Sequence, residues 1–295
     1  MEKHLLVTIS HGKNAAQCLR FLSGYLTDMA ELRLTLFYVA PRSVDWKLDR
    51  DMTPDEAALD EIETIKRRHG RQTLDEAKQW LVRMREFDPA RIETKLAHPS
   101  RGTVPEIVEE AHNGLYDAVL LGRRGLSWVE QMFEDSVSHK MLWEDIDFPL
   151  WVCRMHQKDF PHRLLLCADG SEESARVADH AGFMLRGEPH EVTLLHVDGA
   201  TDASEACRDA DTCFSMAREA LLETGFPAER IHEKSITATN AARAVAREAR
   251  EGGYGAVAVG RRSSHEPSAL KLVFPGSTSV SLLRELHDIA LWISK

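Results

Sequence analysis

Little in this chain of 295 residues points to metal, disulfide or membrane chemistry. Its five cysteines, Cys18, Cys153, Cys167, Cys207 and Cys213, are odd in number and form no CxxC pair. That spacing argues against a thiolate metal cage, and the thiols read as reduced and cytosolic, several packed as small hydrophobes. The 14 histidines include no HExxH or other metal spacing, so no metal held by protein alone is expected. No apolar run approaches the roughly 20 residues that a membrane-spanning helix needs. Met1-Glu2-Lys3-His4 passes straight into an apolar strand with no visible signal peptide, so cytoplasmic residence is expected. Positive charge is scarce too, with 37 Lys and Arg against 47 Asp and Glu and a net charge of −10. Such a balance argues against a nucleic-acid partner, which calls for a basic face, though not against a local basic pocket for one small anion. There is no Gly-x-Ser-x-Gly elbow, no Walker lysine motif and no evident nucleophile–base pair. No catalytic residue is assigned.

What the chain does contain is one phrase said twice. Gly114-Leu115-Tyr116-Asp117-Ala118-Val119-Leu120-Leu121-Gly122-Arg123-Arg124 returns as Gly252-Gly253-Tyr254-Gly255-Ala256-Val257-Ala258-Val259-Gly260-Arg261-Arg262. Each copy is an apolar run closed by glycine, the form of a buried strand that stops at a sharp turn. Other segments keep the same order. Leu5 to Ile9 matches Leu164 to Ala168, Leu34 to Val39 matches Val192 to Val197, and Asp88-Pro89-Ala90-Arg91-Ile92 matches Pro227-Ala228-Glu229-Arg230-Ile231. Phe148-Pro149-Leu150-Trp151-Val152 matches Ile289-Ala290-Leu291-Trp292-Ile293. The offset falls from 159 residues at Leu5 and Leu164 to 138 at Gly122 and Gly260, so the first copy carries an insertion of about 20 residues. It lies within residues 42–72, with a helical segment around 54–69 whose charged stretch reads as a solvated face.

Each copy reads as alternating strands and helices, ending on a fifth strand. The length suits two domains, here residues 1–155 and 160–295, joined by a short linker near 155–161. The fold class is therefore α/β: two tandem Rossmann-like domains, each a five-stranded, largely parallel sheet flanked by helices. Val104, Ile107, Val108 and Ala111 in one copy, and Ala242, Val245, Ala246 and Ala249 in the other, give the helix before each glycine turn its apolar face. Thr103-Val104-Pro105-Glu106 suggests a capping box at the start of the first of these. In such sheets ligands sit beyond the carboxyl ends of the strands, where the strand order reverses. Both glycine turns lie at such an end.

Beyond the turns the copies diverge. The first runs Gly122-Arg123-Arg124-Gly125, nine residues, then Asp135-Ser136. The second runs Gly260-Arg261-Arg262-Ser263, twelve residues, then Gly276-Ser277-Thr278. Here the chain resembles the universal stress protein family, whose nucleotide-binding members carry Gly-x2-Gly-x9-Gly-Ser/Thr after the fourth strand. Asp169-Gly170-Ser171 resembles the family's end of the first strand, and His196-Val197 its end of the second. The resemblance spans nearly the whole chain, taken twice, as in the family's tandem members. It implies adenine-nucleotide binding, with Asp169 holding the nucleoside and main-chain groups beside Val197 reading the adenine edge. Gly260 and Ser263 would line the phosphate loop, and Gly276, Ser277 and Thr278 would bind the phosphates. The chemistry is suited: glycine lets backbone N–H groups close on phosphate oxygens, and a helix N-terminus adds its positive dipole end.

The first copy departs from that pattern. Ser10 stands where Asp169 stands in the second, and Asp135 puts a carboxylate where a phosphate should lie. At about 4 Å two unit charges repel by several kcal/mol at an effective dielectric near 20, so this copy is a poor nucleotide site. The resemblance therefore implies ATP or a related adenine nucleotide, alone or with Mg, in the second copy. The protein would act as a stress-response sensor or interaction module, its first domain completing an internal pair. A homodimer and a protein partner stay open. So do a nucleotide-free scaffold and a slow Mg-dependent ATP hydrolase. Bland readings stand beside these. Asp169 could cap the helix beginning near Ser171, the paired arginines could be solvated or bridged to acids, and His196 reads as a satisfied core histidine. Trp151 and Trp292, in the strand that pairs between domains in the family, read as interface packing.

Overall fold

The computed structural model describes residues 2–10, 17–40, 56–97, 102–122, 137–141, 144, 146–154, 160–199, 209–261 and 278–294. The first half runs β1 (Lys3–Thr8), α1 (Gln17–Tyr25), β2 (Leu32–Val39), α2 (Glu56–Arg85), β3 (Ile92–Ala97), α3 (Thr103–Gly114), β4 (Ala118–Gly122), α4 (Val137–Met141) and β5 (Leu150–Cys153). The second repeats it as β6 (Arg163–Cys167), α5 (Glu172–Leu185), β7 (Glu191–Asp198), α6 (Ala210–Glu223), β8 (Ile231–Thr237), α7 (Ala241–Glu251), β9 (Ala256–Gly260), α8 (Thr278–Glu285) and β10 (Ala290–Ser294). The matching Pro-Ala-Arg and Ala-Glu-Arg stretches both form a single 3-10 turn leading into β3 and β8.

All ten strands lie in one sheet, ordered β3-β2-β1-β4-β5-β10-β9-β6-β7-β8. Within each half every pairing is parallel. The halves meet where β5 and β10 run antiparallel with Trp151 opposite Trp292. Thus the two expected sheets are continuous, since each fifth strand would otherwise expose a row of unpaired backbone groups. The central strands are buried on both faces, as in Leu164, Leu165 and Leu166 or Ala256, Val257 and Ala258, which is what helices on both sides require. Strand β8 alternates little, with most of its length exposed and with Glu233 and Lys234 at its middle, which suits an edge.

The seam between the halves is aromatic. Trp151 and Trp292 stack at 3.7 Å with their planes 6° apart, which fits their reading as interface packing. The Trp151 indole N–H donates to His180 Nε2 at 2.9 Å, whereas the buried Trp292 Nε1 has no hydrogen-bond partner among the described residues. A buried carboxylate adds a polar clasp. Glu188, 2% exposed, accepts from the Thr27 N–H at 2.7 Å, the Thr27 hydroxyl at 2.6 Å and the Asp28 N–H at 3.1 Å. Lys3, equally buried, donates to the Met184 carbonyl at 3.0 Å.

Two local expectations are corrected. Helix α3 does not use a Thr103–Glu106 capping box: Thr103 is already helical, and Gly102 is the N-cap, at φ 120° and with no side chain to offer. Glycine takes that backbone conformation without strain, and this moves the helix start one residue upstream of the hydroxyl. Cys213, expected as a reduced thiol, is disulfide-bonded and buried on α6. Cys18, Cys153 and Cys167 are free. On the described part of α2, residues 61–71 are mostly exposed, in line with a solvated charged face. No helix among the described residues is long and apolar enough to cross a membrane.

Candidate functional site

The strand order reverses between β1 and β4 in the first half and between β6 and β9 in the second, so each half has one crevice at the carboxyl ends of its strands. Register sets what stands at the second rim. Leu166 pairs with Ala258, and Cys167 with Leu195. Two residues further along, Asp169 stands level with Val197, and Gly260 ends its strand one residue lower, level with Ala168, so the three lie at the ends of neighbouring strands. Thr278 is the first residue of α8, which follows β9 and returns from the same end. Structure therefore brings Asp169, Val197 and Gly260 together and places Thr278 at a helix start on that side. Ser263, Gly276 and Ser277 lie outside the described residues, as do Arg123, Arg124, Arg262, Gly125, Asp135 and Ser136.

Asp169 is engaged in local structure. Its Oδ1 accepts from the Ser171 N–H at 3.0 Å and the Ser171 hydroxyl at 2.5 Å. Ser171 in turn is the N-cap of α5, its Oγ accepting from the Ser174 N–H at 3.1 Å. The capping reading of Asp169 thus holds, one step removed, through the serine. Its carboxyl is only partly buried and remains at the mouth of the crevice. A carboxylate there fits the nucleoside end of an adenine nucleotide, because it can accept from ribose hydroxyls or an amino group.

Gly260 is explained by packing. A Cβ at this position would lie 2.5 Å from the Glu173 carbonyl carbon and 2.7 Å from both the Glu173 oxygen and the Ser174 nitrogen. The first turn of α5 therefore lies directly against the end of β9, and only glycine permits it. Ser174 secures that turn by donating its hydroxyl to the Cys167 carbonyl at 3.1 Å. Ser171 belongs to the Asp169-Gly170-Ser171 signature read from the sequence, whereas Ser174 carries no signature that the sequence offers. Arg261, beside the glycine, uses its backbone N–H on the Ser294 carbonyl at 2.7 Å.

Two nearby side chains bear on reactivity. His196 is 6% exposed and its Nδ1 lies 3.0 Å from the Ala168 carbonyl. A carbonyl can only accept, so Nδ1 holds the hydrogen and the residue is a satisfied core histidine. Burial, with a smaller contribution from the Asp169 charge, pushes the Cys167 thiol up to about 12. It stays a thiol at neutral pH, which removes it as a nucleophile.

In the first half, β1 pairs with β4 as Val7 with Leu120, so Ser10 stands at the level that Asp169 occupies in the second. No acid ends that strand among the described residues.

No protein-family model matches the chain, and no curated protein is similar to it in sequence. Solved structures do match. A universal stress protein from Archaeoglobus fulgidus is 18% identical with a TM-score of 0.67, the match covering 99% of this chain and 96% of that one. A functionally unknown protein from Pseudomonas aeruginosa is 15% identical with a TM-score of 0.57, over 100% of this chain and 92% of that one. Identities this low carry the likeness of fold, and from end to end the chain has the fold of a universal stress protein.

Proposed function

We propose that this protein is a tandem universal stress protein with domains at residues 1–155 and 160–295. Its second domain holds ATP or a related adenine nucleotide, and the protein works as a sensor or interaction module in a stress response. The observation that carries this reading is the convergence of Asp169, Val197 and Gly260, within one residue of a common level, at the rim of the second crevice, against Ser10 in the first. Asp169 would hold the nucleoside and Val197 main-chain groups the base. The loop from Gly260 and Ser263 to Gly276, Ser277 and Thr278 would supply N–H groups and hydroxyls to the phosphates. The nucleotide, where it carries Mg, would bring that ion with its own phosphates.

A second reading, a nucleotide-free scaffold, is favoured by one observation: Asp169 and Gly260 both already serve α5. Titrating ATP into the purified protein, with and without Mg²⁺, separates the two. Saturable binding that is lost in Gly276→Asp and in Asp169→Asn supports the nucleotide reading. The asparagine keeps an oxygen for Ser171 but replaces an acceptor with a donor, so the helix cap survives while the ligand contact does not. No binding to the wild type at millimolar ATP would leave the scaffold.

A further inference from the structure

A second cleft lies at the opposite end of the sheet. Strand β1 rises to Thr8 and α1 returns, so Arg20, Ser23 and Gly24 on its later turns stand near the amino-terminal edges of the strands. Helix α2 returns in the same sense and ends at Arg85, while His162 immediately precedes β6. With Trp80 and Phe160 these residues line an open cavity of about 510 Å³. It is separate from the rim at Asp169.

Its lining is chemically one-sided. Among the described lining residues are Arg20, Arg85 and His162 and no carboxylate, although the chain carries a net charge of −10. Neither guanidinium has an ion-pair partner among the described residues. His162 is 3.1 Å through Nδ1 from the Tyr25 carbonyl, an acceptor, so Nδ1–H points inward and fixes the ring. The same cleft has an aromatic wall. Phe160 meets Phe21 edge to face at 5.6 Å, and it occupies the space over Gly24, where a Cβ would come within 2.2 Å of its ring. Trp80 packs partly buried against the core and lines the same cleft.

A bare inorganic ion would use only the guanidiniums, and a neutral ring only the wall. We propose that the cleft is a second ligand site for a small organic anion with an aromatic body. Arg20 and Arg85 take its phosphate or carboxylate head, which suits their planar forks, and Trp80 and Phe160 take its ring.

Phenyl phosphate, benzoate and inorganic phosphate, titrated separately by calorimetry, test this on the full chain. One equivalent of phenyl phosphate or benzoate should bind, about tenfold tighter than inorganic phosphate, and the tighter of the two names the head group. Arg20→Ala and Arg85→Ala, both at exposed positions, should each weaken it about tenfold while thermal unfolding stays unchanged. Gly276→Asp should leave it intact. The proposal is overturned if neither aromatic anion binds saturably at millimolar concentration. It fails equally if binding survives the double arginine variant or disappears in Gly276→Asp, which would put the anion in the nucleotide crevice.

Discussion

Gly122 and Gly260 end equivalent strands in two halves with the same strand order, yet their surroundings differ. At Gly260 the backbone of α5 is in the way of any side chain, at 2.5 Å. At Gly122 the nearest described atoms to a Cβ would be the Cys18 Sγ at 3.3 Å and Gln17 side-chain atoms at 3.7 Å. The first turn of α1 thus stands off by the thickness of its side chains, while the first turn of α5 lies bare against the strand. Repetition of a glycine in sequence marks a repeated turn. It does not show that both copies spend the glycine on the same thing. In the second half the close approach also carries the Asp169-Ser171 cap to the rim of the crevice, and the first half offers Ser10 there instead.

The seam is uneven in a second way. The second half contributes His180 and His190, both buried, and burial holds each imidazole down at about 3. Both are neutral in the folded protein, whereas the unfolded chain protonates them near 6.5. Below that pH the unfolded state binds more protons, so stability is lost as pH falls from about 6.5 toward 3, at about 1.4 kcal/mol per pH unit for each histidine. This is the largest effect expected. Urea unfolding at stepwise lower pH should show it, and His190→Leu should flatten the slope by about half, since both of its ring nitrogens are buried with no hydrogen-bond partner among the described residues.

Next in size is the glycine pair itself. Gly260→Ala should cost about 3 kcal/mol, because backbone rather than a side-chain tip must give way, while Gly122→Ala should cost under about 1 kcal/mol. Equal losses in denaturant titrations would erase the distinction between the turns. The tryptophans sharpen the comparison at smaller scale. Trp151→Phe strands the His180 nitrogen that now accepts its N–H, but Trp292→Phe removes a buried N–H that has no hydrogen-bond partner among the described residues. Trp151→Phe should therefore be the more destabilising, by about 1–2 kcal/mol. Smallest of all, Ser10→Ala should leave ATP affinity unchanged, as a residue of the crevice without the nucleotide.

Much of the fold was legible because strands and their closing glycines are local signals, and the doubled phrase fixed their order. Leu164 to Leu166 and Ala256 to Ala258 read directly as strands buried on both faces. The Trp151–Trp292 seam was legible too, through matching positions in the last strands. What stayed hidden depends on approach between distant segments. Glu188 clasping Thr27 and Asp28, more than 150 residues away, has no pattern in the chain. Nor do Arg20, Trp80, Arg85 and His162, which meet only after α1 and α2 have returned across the sheet. The cap of α3 was misread because Gly102, lacking a side chain, gives no capping signal. At the crevice, residue types offered Asp169 as a helix cap, but only geometry shows that it acts through Ser171 and that Gly260 makes room for the first turn of α5.

The central claim is that the two halves are unequal, with one nucleotide site and that site in the second. Calorimetric titration of ATP into wild type, Gly276→Asp and Asp135→Gly tests it most directly. One site per chain is expected, abolished by Gly276→Asp and indifferent to Asp135→Gly. Two sites per chain in the wild type, or binding that persists in Gly276→Asp, would contradict it.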